Sequence, residues 1–127
     1  MAPLQDASVM PRNFMIRVSI LYPNTEGSRF DLDHYLNTHL PMTEKLLAPQ
    51  LRSMVVEHGI AGTTPGSSAT YIAMCHLEFD SVEAFLQAFM PHMATLTGDI
   101  PNYTDVEAVI QFNEIKIART YELAVRN

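Results

Sequence analysis

The stretch YLNTHLP (residues 35–41) recurs in altered form as FLQAFMP (residues 85–91). Both copies start with an aromatic residue and leucine, and both end with a ring, an apolar residue and proline. Proline inside a helical pattern removes a backbone donor and disturbs the turn before it, so each predicted helix should kink or restart here. A repeat spanning about half of the chain is expected of a fold with pseudo-twofold symmetry.

Strand patterns flank both copies of the repeat. FMIRVSILY (14–22) and YIAMCHLEF (71–79) alternate apolar and other residues, which is typical of strands with one buried face. LRSMVVEHGI (51–60) and VEAVIQFNEIKI (106–117) are further strand patterns. The order β-α-β-β-α-β predicts an α+β, ferredoxin-like fold, in which a four-stranded antiparallel sheet carries two helices on one face.

The predicted domain extends over residues 14–117, with tails at 1–13 and 118–127. Asp31 and Asp80 precede the two helices and are predicted to cap them. Spacings of three and four residues predict the buried face of each helix. The stripes are Leu32, Tyr35, His39, Met42 and Leu46 in the first helix, and Val82, Phe85, Phe89, His92 and Leu96 in the second.

The composition excludes several classes of function. A net charge of −6 without a basic patch argues against a nucleic-acid partner. A single cysteine, Cys75, excludes an internal disulfide and an ordinary cysteine-ligated zinc site. No apolar run approaches the ~20 residues of a membrane span, and no signal-peptide pattern is seen, so we expect a soluble cytoplasmic protein without a membrane partner.

No metal or cofactor is predicted. His34 and His39 are near each other in the first helix, but their five-residue spacing places them on different faces of an α-helix. The chain contains no flavin or nicotinamide fingerprint and no glycine-rich phosphate loop. Cys75 has no cationic neighbour in its strand pattern, so we interpret it as a packing residue.

His39 is the candidate functional residue. It stands where the second copy of the repeat has Phe89, so the scaffold accepts a plain hydrophobic residue at this position. A buried imidazole is unfavourable unless its nitrogens find partners. Two interpretations stay open. His39 either caps the carbonyl freed by the kink, or points into a cleft between helix and sheet and acts on a ligand as an acid or base.

Other candidates for ligand binding surround the same predicted cleft. Tyr22 and Tyr71 are either core aromatics or hydrogen-bond donors to a ligand, and His92 is either an exposed helix-end residue or part of the site. Tyr103 belongs to the loop GDIPNYTD (98–105), which is either a turn or a lid over the cleft. The ligand-binding candidates are Tyr22, Tyr71, Phe85, Phe89, His92 and Tyr103.

The opposite face of the sheet mixes polar and apolar residues. It carries Arg17, His76 and Glu78 together with apolar residues such as Met74. Such a face is too polar for a core and too apolar for free solvent. We therefore predict that a second copy of the chain covers it, with Arg17, His76 and Glu78 paired at or near the interface. A second active site on this face is the alternative.

Three segments closely resemble the EthD family, named from ethyl tert-butyl ether degradation, and the likeness covers about residues 15–117. They are SILYPNTEGSRFDLDHYLNTHLPM, YIAMCHLEFDSVEAFLQAFMPH and GDIPNYTDVEAVIQFNEI. The resemblance implies a dimeric α+β barrel, in which two ferredoxin-like subunits pack sheet to sheet. The family's histidine before proline corresponds to His39.

The resemblance alone does not choose a reaction. The superfamily includes cofactor-free monooxygenases, polyketide cyclases, muconolactone isomerases and haem-degrading enzymes, and fold does not decide among them. We expect a homodimer that binds a hydrophobic, oxygenated organic molecule and carries out oxygenase-type or cyclase/isomerase-type chemistry linked to ether degradation. The alternative is a non-catalytic carrier or auxiliary module of an oxygenase system. Haem binding through His39 or His92 is a third interpretation.

Overall fold

The computed structural model describes residues 15–123 and contains one four-stranded antiparallel sheet. The strands lie in the order β2-β3-β1-β4. Their bounds are β1 Ile16–Pro23, β2 Ser53–His58, β3 Tyr71–Phe79 and β4 Val109–Glu114. Two helical segments pack on one face, so the predicted α+β ferredoxin-like fold is confirmed. The N-terminal tail and residues 124–127 lie outside the described residues.

The central strand β1 fixes the two faces of the sheet. It pairs with β3 on one side, where Val18 lies opposite Leu77, and with β4 on the other, where Ile20 lies opposite Ile110. Val18 and Leu77 are buried under the helices. The alternation predicted for β1 and β3 is therefore observed, because successive side chains of a strand point to opposite faces.

Both helical segments change their hydrogen-bond pattern at the repeated proline. The first segment consists of α1 (Leu32–His34), a π-helical turn (Tyr35–His39) and α2 (Leu40–Leu47). The second consists of α3 (Val82–Phe89), a 3₁₀ turn (Met90–His92), α4 (Met93–Asp99) and a further 3₁₀ turn (Ile100–Asn102). The same proline thus accompanies a wide turn in the first segment and a tight turn in the second.

The π-helical turn shifts the buried face of the first segment. Leu40, Thr43 and Leu47 are buried beyond the turn, whereas the predicted Met42 and Leu46 are only half-buried. In the π turn the amide of Leu40 donates to the carbonyl of Tyr35, five residues back. The extra residue rotates everything after it, so a stripe with constant helical spacing cannot cross it.

The capping prediction is correct for the first segment and wrong for the second. The carboxylate of Asp31 accepts from the amide of His34 at 3.1 Å. In the second segment the cap is Ser81, whose hydroxyl accepts from the amide of Ala84 at 3.0 Å. The extended backbone of Ser81, with φ −162°, places that hydroxyl at the helix start. Asp80 instead forms an ion pair with Arg52 at 2.8 Å.

Candidate functional site

A cavity of about 220 Å³ lies between the sheet and the helical segments. Its wall is largely apolar, and the polar side chains on it belong to Tyr22, His39, Thr43 and Thr97. The apolar lining residues are Val18, Ile20, Leu47, Leu77, Phe85, Phe89, Leu96, Ile100, Ala108 and Ile110. Ile110 and Thr97 are both exposed, so the cavity opens to solvent between β4 and the second helical segment.

His39 lines the cavity, and a hydrogen bond fixes one of its two imidazole nitrogens. Its ring is almost buried, and Nδ1 lies 2.9 Å from Oδ2 of Asp99. Because the carboxylate can only accept, Nδ1 is the protonated nitrogen and Nε2 carries the lone pair. Nε2 has no hydrogen-bond partner within residues 15–123. The structure does not have the carbonyl-capping arrangement, because Nδ1 of His39 is committed to Asp99.

Asp99 is held by side chains from both helical segments. The Nε2 atom of His34 lies 3.0 Å and 3.1 Å from its two carboxylate oxygens, and the amide of Asn102 donates to Oδ1 at 2.9 Å. Burial acts to raise the pKa of Asp99, but the hydrogen bonds from Asn102, His34 and His39 outweigh it and lower the pKa. The carboxylate therefore stays ionised beside the two imidazoles.

The π-helical turn corrects the expectation that His34 and His39 lie on different faces. In a regular α-helix, residues five apart diverge around the axis. The wider turn over Tyr35–His39 brings both imidazoles to the same carboxylate. π-helical turns of this kind frequently occur at functional sites. Even so, within residues 15–123 no group of three histidine, cysteine or acidic side chains is arranged to hold a metal ion.

His39 is biased toward its neutral form. Desolvation by burial lowers its pKa, and the positive charge of a protonated His34 acts in the same direction. The hydrogen bond to Asp99 and the charge of Asp99 act the opposite way but do not overcome burial. A neutral imidazole with an anchored Nδ1 and an unpartnered Nε2 has the form of a general base.

Tyrosine side chains surround this histidine. The hydroxyls of Tyr22 and Tyr103 lie 2.5 Å apart, and the ring centroid of Tyr103 is 4.7 Å from that of His39. Tyr35 stacks on His39 at 6.0 Å and also lies against Tyr103, with 5.0 Å between the two tyrosine ring centroids. Burial raises the pKa of Tyr22 to about 12 and raises the pKa values of Tyr35 and Tyr103 as well. All three phenols are therefore protonated at neutral pH, and the hydroxyl of Tyr35 is hydrogen-bonded to Cys75.

With this geometry in place, comparison with known proteins identifies the family. The EthD domain model matches residues 27–107, which include both His39 and Asp99. The chain belongs to the EthD family. It is 40% identical to an EthD-like protein of Ralstonia eutropha JMP134, with a TM-score of 0.81 over 84% of this chain and 96% of that chain.

A second solved structure supports the same assignment. An EthD-family protein of Bacillus halodurans C-125 is 25% identical to this EthD chain, with a TM-score of 0.64 over 80% of this chain and 99% of that one. No curated protein is significantly similar in sequence. The resemblance inferred from the three sequence segments is therefore confirmed.

The structure brings only some of the predicted ligand-binding residues of this EthD protein together. Tyr22, Phe85 and Phe89 lie on the cavity wall with His39, and Tyr103 packs against His39 behind the wall. The wall does not include Tyr71 or His92. Tyr71 lies at the start of β3, opposite Pro23, and His92 lies in the 3₁₀ turn of the second segment. Ligand contact by these two residues stays a prediction.

Asp99 was not among the predicted site residues. The sequence showed only a polar loop around it, in which an aspartate commonly serves as a turn cap. Its connection to His39 spans 60 residues. The loop contains a 3₁₀ turn over Ile100–Asn102, as the turn interpretation expects, and the following Tyr103 is buried against Tyr35 and Tyr22.

The polar residues on the outer sheet face pair within one chain. Arg17 donates to Glu78 through Nε at 3.1 Å, and Nδ1 of His76 lies 2.9 Å from the hydroxyl of Ser19. Nε2 of His76 also lies 3.2 Å from Glu57.

Cys75, on the helix-facing side, is buried, and burial raises its pKa to about 12, consistent with a packing role. No helix within the described residues is long and apolar enough to cross a bilayer.

The stability of the protein should depend on pH through His39. Its pKa in the folded state is lowered from 6.5. As the pH falls below about 6.5, the unfolded chain binds a proton that the folded chain resists, so the free energy of unfolding should decrease. This loss of stability ends once the pH falls below the lowered pKa of His39 in the folded protein. Asp99 acts in a lower window, since its lowered pKa gives stability that is lost only below about pH 4.

Urea denaturation at about pH 7.5 and at about pH 5.5 measures this effect. The control is His39→Phe, which removes the titrating group at a position where the repeat has phenylalanine. The loss of stability between the two pH values should be smaller in this variant. An equal loss in both proteins would contradict the lowered pKa of His39.

Proposed function

We propose that this EthD protein binds a small hydrophobic, oxygenated organic molecule in the cavity, and that His39 accepts a hydrogen bond or a proton from it. The observation that supports this most directly is the buried imidazole on the wall of an apolar cavity, with Nδ1 held by Asp99 and Nε2 unpartnered among residues 15–123. A base oriented by a carboxylate is a recurring arrangement in proton-transfer sites.

The size of the cavity supports a compact ligand. A volume of about 220 Å³ lies below the roughly 300 Å³ at which pockets for drug-sized ligands begin. Cavities of about 150 Å³ accommodate benzene. A single ring with one oxygen substituent, or a branched aliphatic ether, alcohol or ketone of similar size, fits these limits. The ether in the family name of the Bacillus relative supports the aliphatic class.

The chemistry proposed for His39 is proton abstraction. Nε2 would remove a proton from a phenolic hydroxyl or from a carbon next to a carbonyl, and Asp99 would stabilise the imidazolium that forms. Tyr22 and Tyr103 have two hydroxyl hydrogens, and only one of them is used between the two oxygens. If Tyr103 donates to Tyr22, the hydroxyl of Tyr22 remains free to donate to the negative oxygen that develops on the ligand.

This step is common to several of the chemistries named above for the superfamily. Removing a proton from a carbon acid begins an isomerisation or a cyclisation, and it also produces the electron-rich anion needed for cofactor-free oxygenation. We therefore propose a function in the degradation of small oxygenated organic compounds, carried out in the cytoplasm.

A carrier without catalysis is the second candidate. The hydroxyls of Thr43 and Thr97 donate to the backbone carbonyls of His39 and Met93, at 2.9 Å and 2.7 Å. They are thus not available as donors to a ligand. A wall with so few free polar groups suits the retention of an apolar molecule as well as its conversion.

Phenol and toluene test the binding proposal, because they have similar size and only phenol can donate to Nε2. Both should shift NMR resonances of cavity residues, and phenol should bind about tenfold more tightly. Failure of both probes to bind would contradict the proposal.

Exchange of the α-hydrogens of acetophenone in D₂O then distinguishes an enzyme from a carrier without catalysis. The enzyme should accelerate exchange and His39→Ala should not, whereas a carrier should bind the ketone without exchange.

We also propose a homodimer formed through the outer sheet face. Arg17, Glu78 and His76 are already paired within the chain, which reduces the free energy required to bury them. Val55 and Val109 lie exposed on the same face, at 47% and 49%. Sedimentation equilibrium should give twice the 14.3 kDa mass of the chain. A stable monomer at micromolar concentration would contradict the dimer.

A further inference from the structure

His34 lies outside the cavity wall, yet it binds the same carboxylate as the cavity histidine. Its Nε2 atom lies 3.0 Å and 3.1 Å from the two oxygens of Asp99, and Nδ1 of His39 lies 2.9 Å from one of them. The side chain of His34 is 26% exposed, whereas that of His39 is 10% exposed. One imidazole therefore contacts solvent and the other contacts the cavity, with Asp99 between them.

We propose that His34 is a positioning residue that sets the basicity of His39 by competing with it for the carboxylate of Asp99. This inference rests on the proposed function, because it concerns how the base of that site is controlled. His34 has no contact with the cavity and so acts only through Asp99 and through its own charge.

The competition follows from the number of charges. A single carboxylate faces two imidazoles that can each carry a proton. When His34 is protonated, its positive charge opposes protonation of His39 and draws on the same anion. The pKa of His39 is lowered chiefly by burial, and the charge of His34 adds to that effect.

The surroundings leave Asp99 and His34 as the charged groups nearest to His39. The first helical segment contributes Tyr35, β1 contributes Tyr22, and the segment after α4 contributes Tyr103. These phenols are neutral at physiological pH because burial raises their pKa values. The carboxylate of Asp31, at the helix start, accepts from the backbone amide of His34 rather than from its ring.

The consequence is that a positive charge at His34 disfavours protonation of Nε2 of His39, because both imidazoles contact the same carboxylate. Without His34, Asp99 would favour the imidazolium form of His39 more strongly, as in a simple carboxylate–histidine pair.

Two variants of the full chain test the proposal: one removes the possible charge at position 34, and the other makes that charge permanent. In His34→Gln the side-chain amide can still donate to Asp99 but never carries a charge. In His34→Lys the position carries a positive charge throughout the titration. The titration of His39 is followed by its ¹⁵N and ¹³C NMR signals without any ligand. His39 should bind protons about threefold or more tightly in His34→Gln, and less tightly in His34→Lys.

His58→Gln is the matched control, because His58 is an exposed histidine at the end of β2. It should leave the titration of His39 unchanged. The proposal would be overturned if the titration of His39 were unchanged in both His34 variants, or if it shifted in the same direction in both. A purely structural role of His34 would not make the direction of the shift depend on the charge at position 34. If one variant does not fold, the sign of the shift in the other decides.

The outcome is independent of ligand binding. The titration of His39 is measured on the free protein, whereas phenol binding to the wild-type chain is measured separately. If phenol does not bind but the titrations shift as expected, the proposed function fails and the role of His34 stands. If phenol binds and the titrations do not shift, the role of His34 fails and the proposed function stands.

Discussion

Replacing His39 by phenylalanine should abolish the preference of the cavity for phenol over toluene while the fold persists. In the wild-type chain, His39 lines the cavity and its Nε2 has no partner among residues 15–123, so we expect a phenol hydroxyl to donate to Nε2. Phenylalanine has a similar shape and no acceptor, so the roughly tenfold advantage of phenol should disappear. Isothermal titration of both proteins with both probes measures the change, and retention of the preference by His39→Phe would contradict the assigned role.

The same variant should differ in stability from the wild-type protein by no more than about 1 kcal/mol at neutral pH. Phenylalanine avoids the burial of Nε2 without a partner but also removes the hydrogen bond from Nδ1 to Asp99, so the two effects offset each other. The second copy of the repeat has Phe89 at the equivalent position, which shows that the scaffold accepts the ring. Urea denaturation at about pH 7.5 measures the difference. A stability loss above about 2 kcal/mol would indicate that His39 is mainly structural.

Asp99→Asn should destabilise the protein by about 2–3 kcal/mol and change the tautomer of His39. The carboxylate accepts from Asn102, His34 and His39. An amide has one accepting oxygen and presents its own hydrogens to the remaining donors, so these hydrogen bonds cannot all persist. Nδ1 of His39 would then accept from the amide, and the proton would move to Nε2. Urea denaturation and ¹⁵N NMR measure the two effects.

Asn102→Ala is the control for this change. It removes a single hydrogen bond to Oδ1 of Asp99 and leaves both imidazoles in place. It should reduce stability by about 1 kcal/mol and leave the proton of His39 on Nδ1. If Asp99→Asn is no more destabilising than Asn102→Ala and leaves the tautomer unchanged, the carboxylate does not orient His39.

The fold was predictable because it rests on local patterns. The alternation predicted in 71–79 matches β3 from Ala73 to Phe79, and the repeated proline marks the change of turn in both helical segments. The Ser81 cap and the π-helical turn were not predicted. No residue type specifies a π-helical turn. Its presence moved the buried face of α2 and brought His34 to the same side as His39.

The site was predictable only in part. His39 stood out because its repeat partner is Phe89, a comparison available within a single sequence. Asp99 did not stand out, because a carboxylate in a turn-like loop has many ordinary roles and its partner, His39, is 60 residues away. Pairings of this kind depend on how the two helical segments approach each other, which composition and periodicity do not reveal.

The most direct test of the account is the ¹⁵N NMR signal of the two ring nitrogens of His39, recorded with and without phenol. Nε2 should be unprotonated in the free protein at neutral pH, and its signal should shift toward the protonated range when phenol binds, while Nδ1 stays protonated. A free protein with the proton on Nε2, or a bound phenol that leaves the Nε2 signal unchanged, would contradict it.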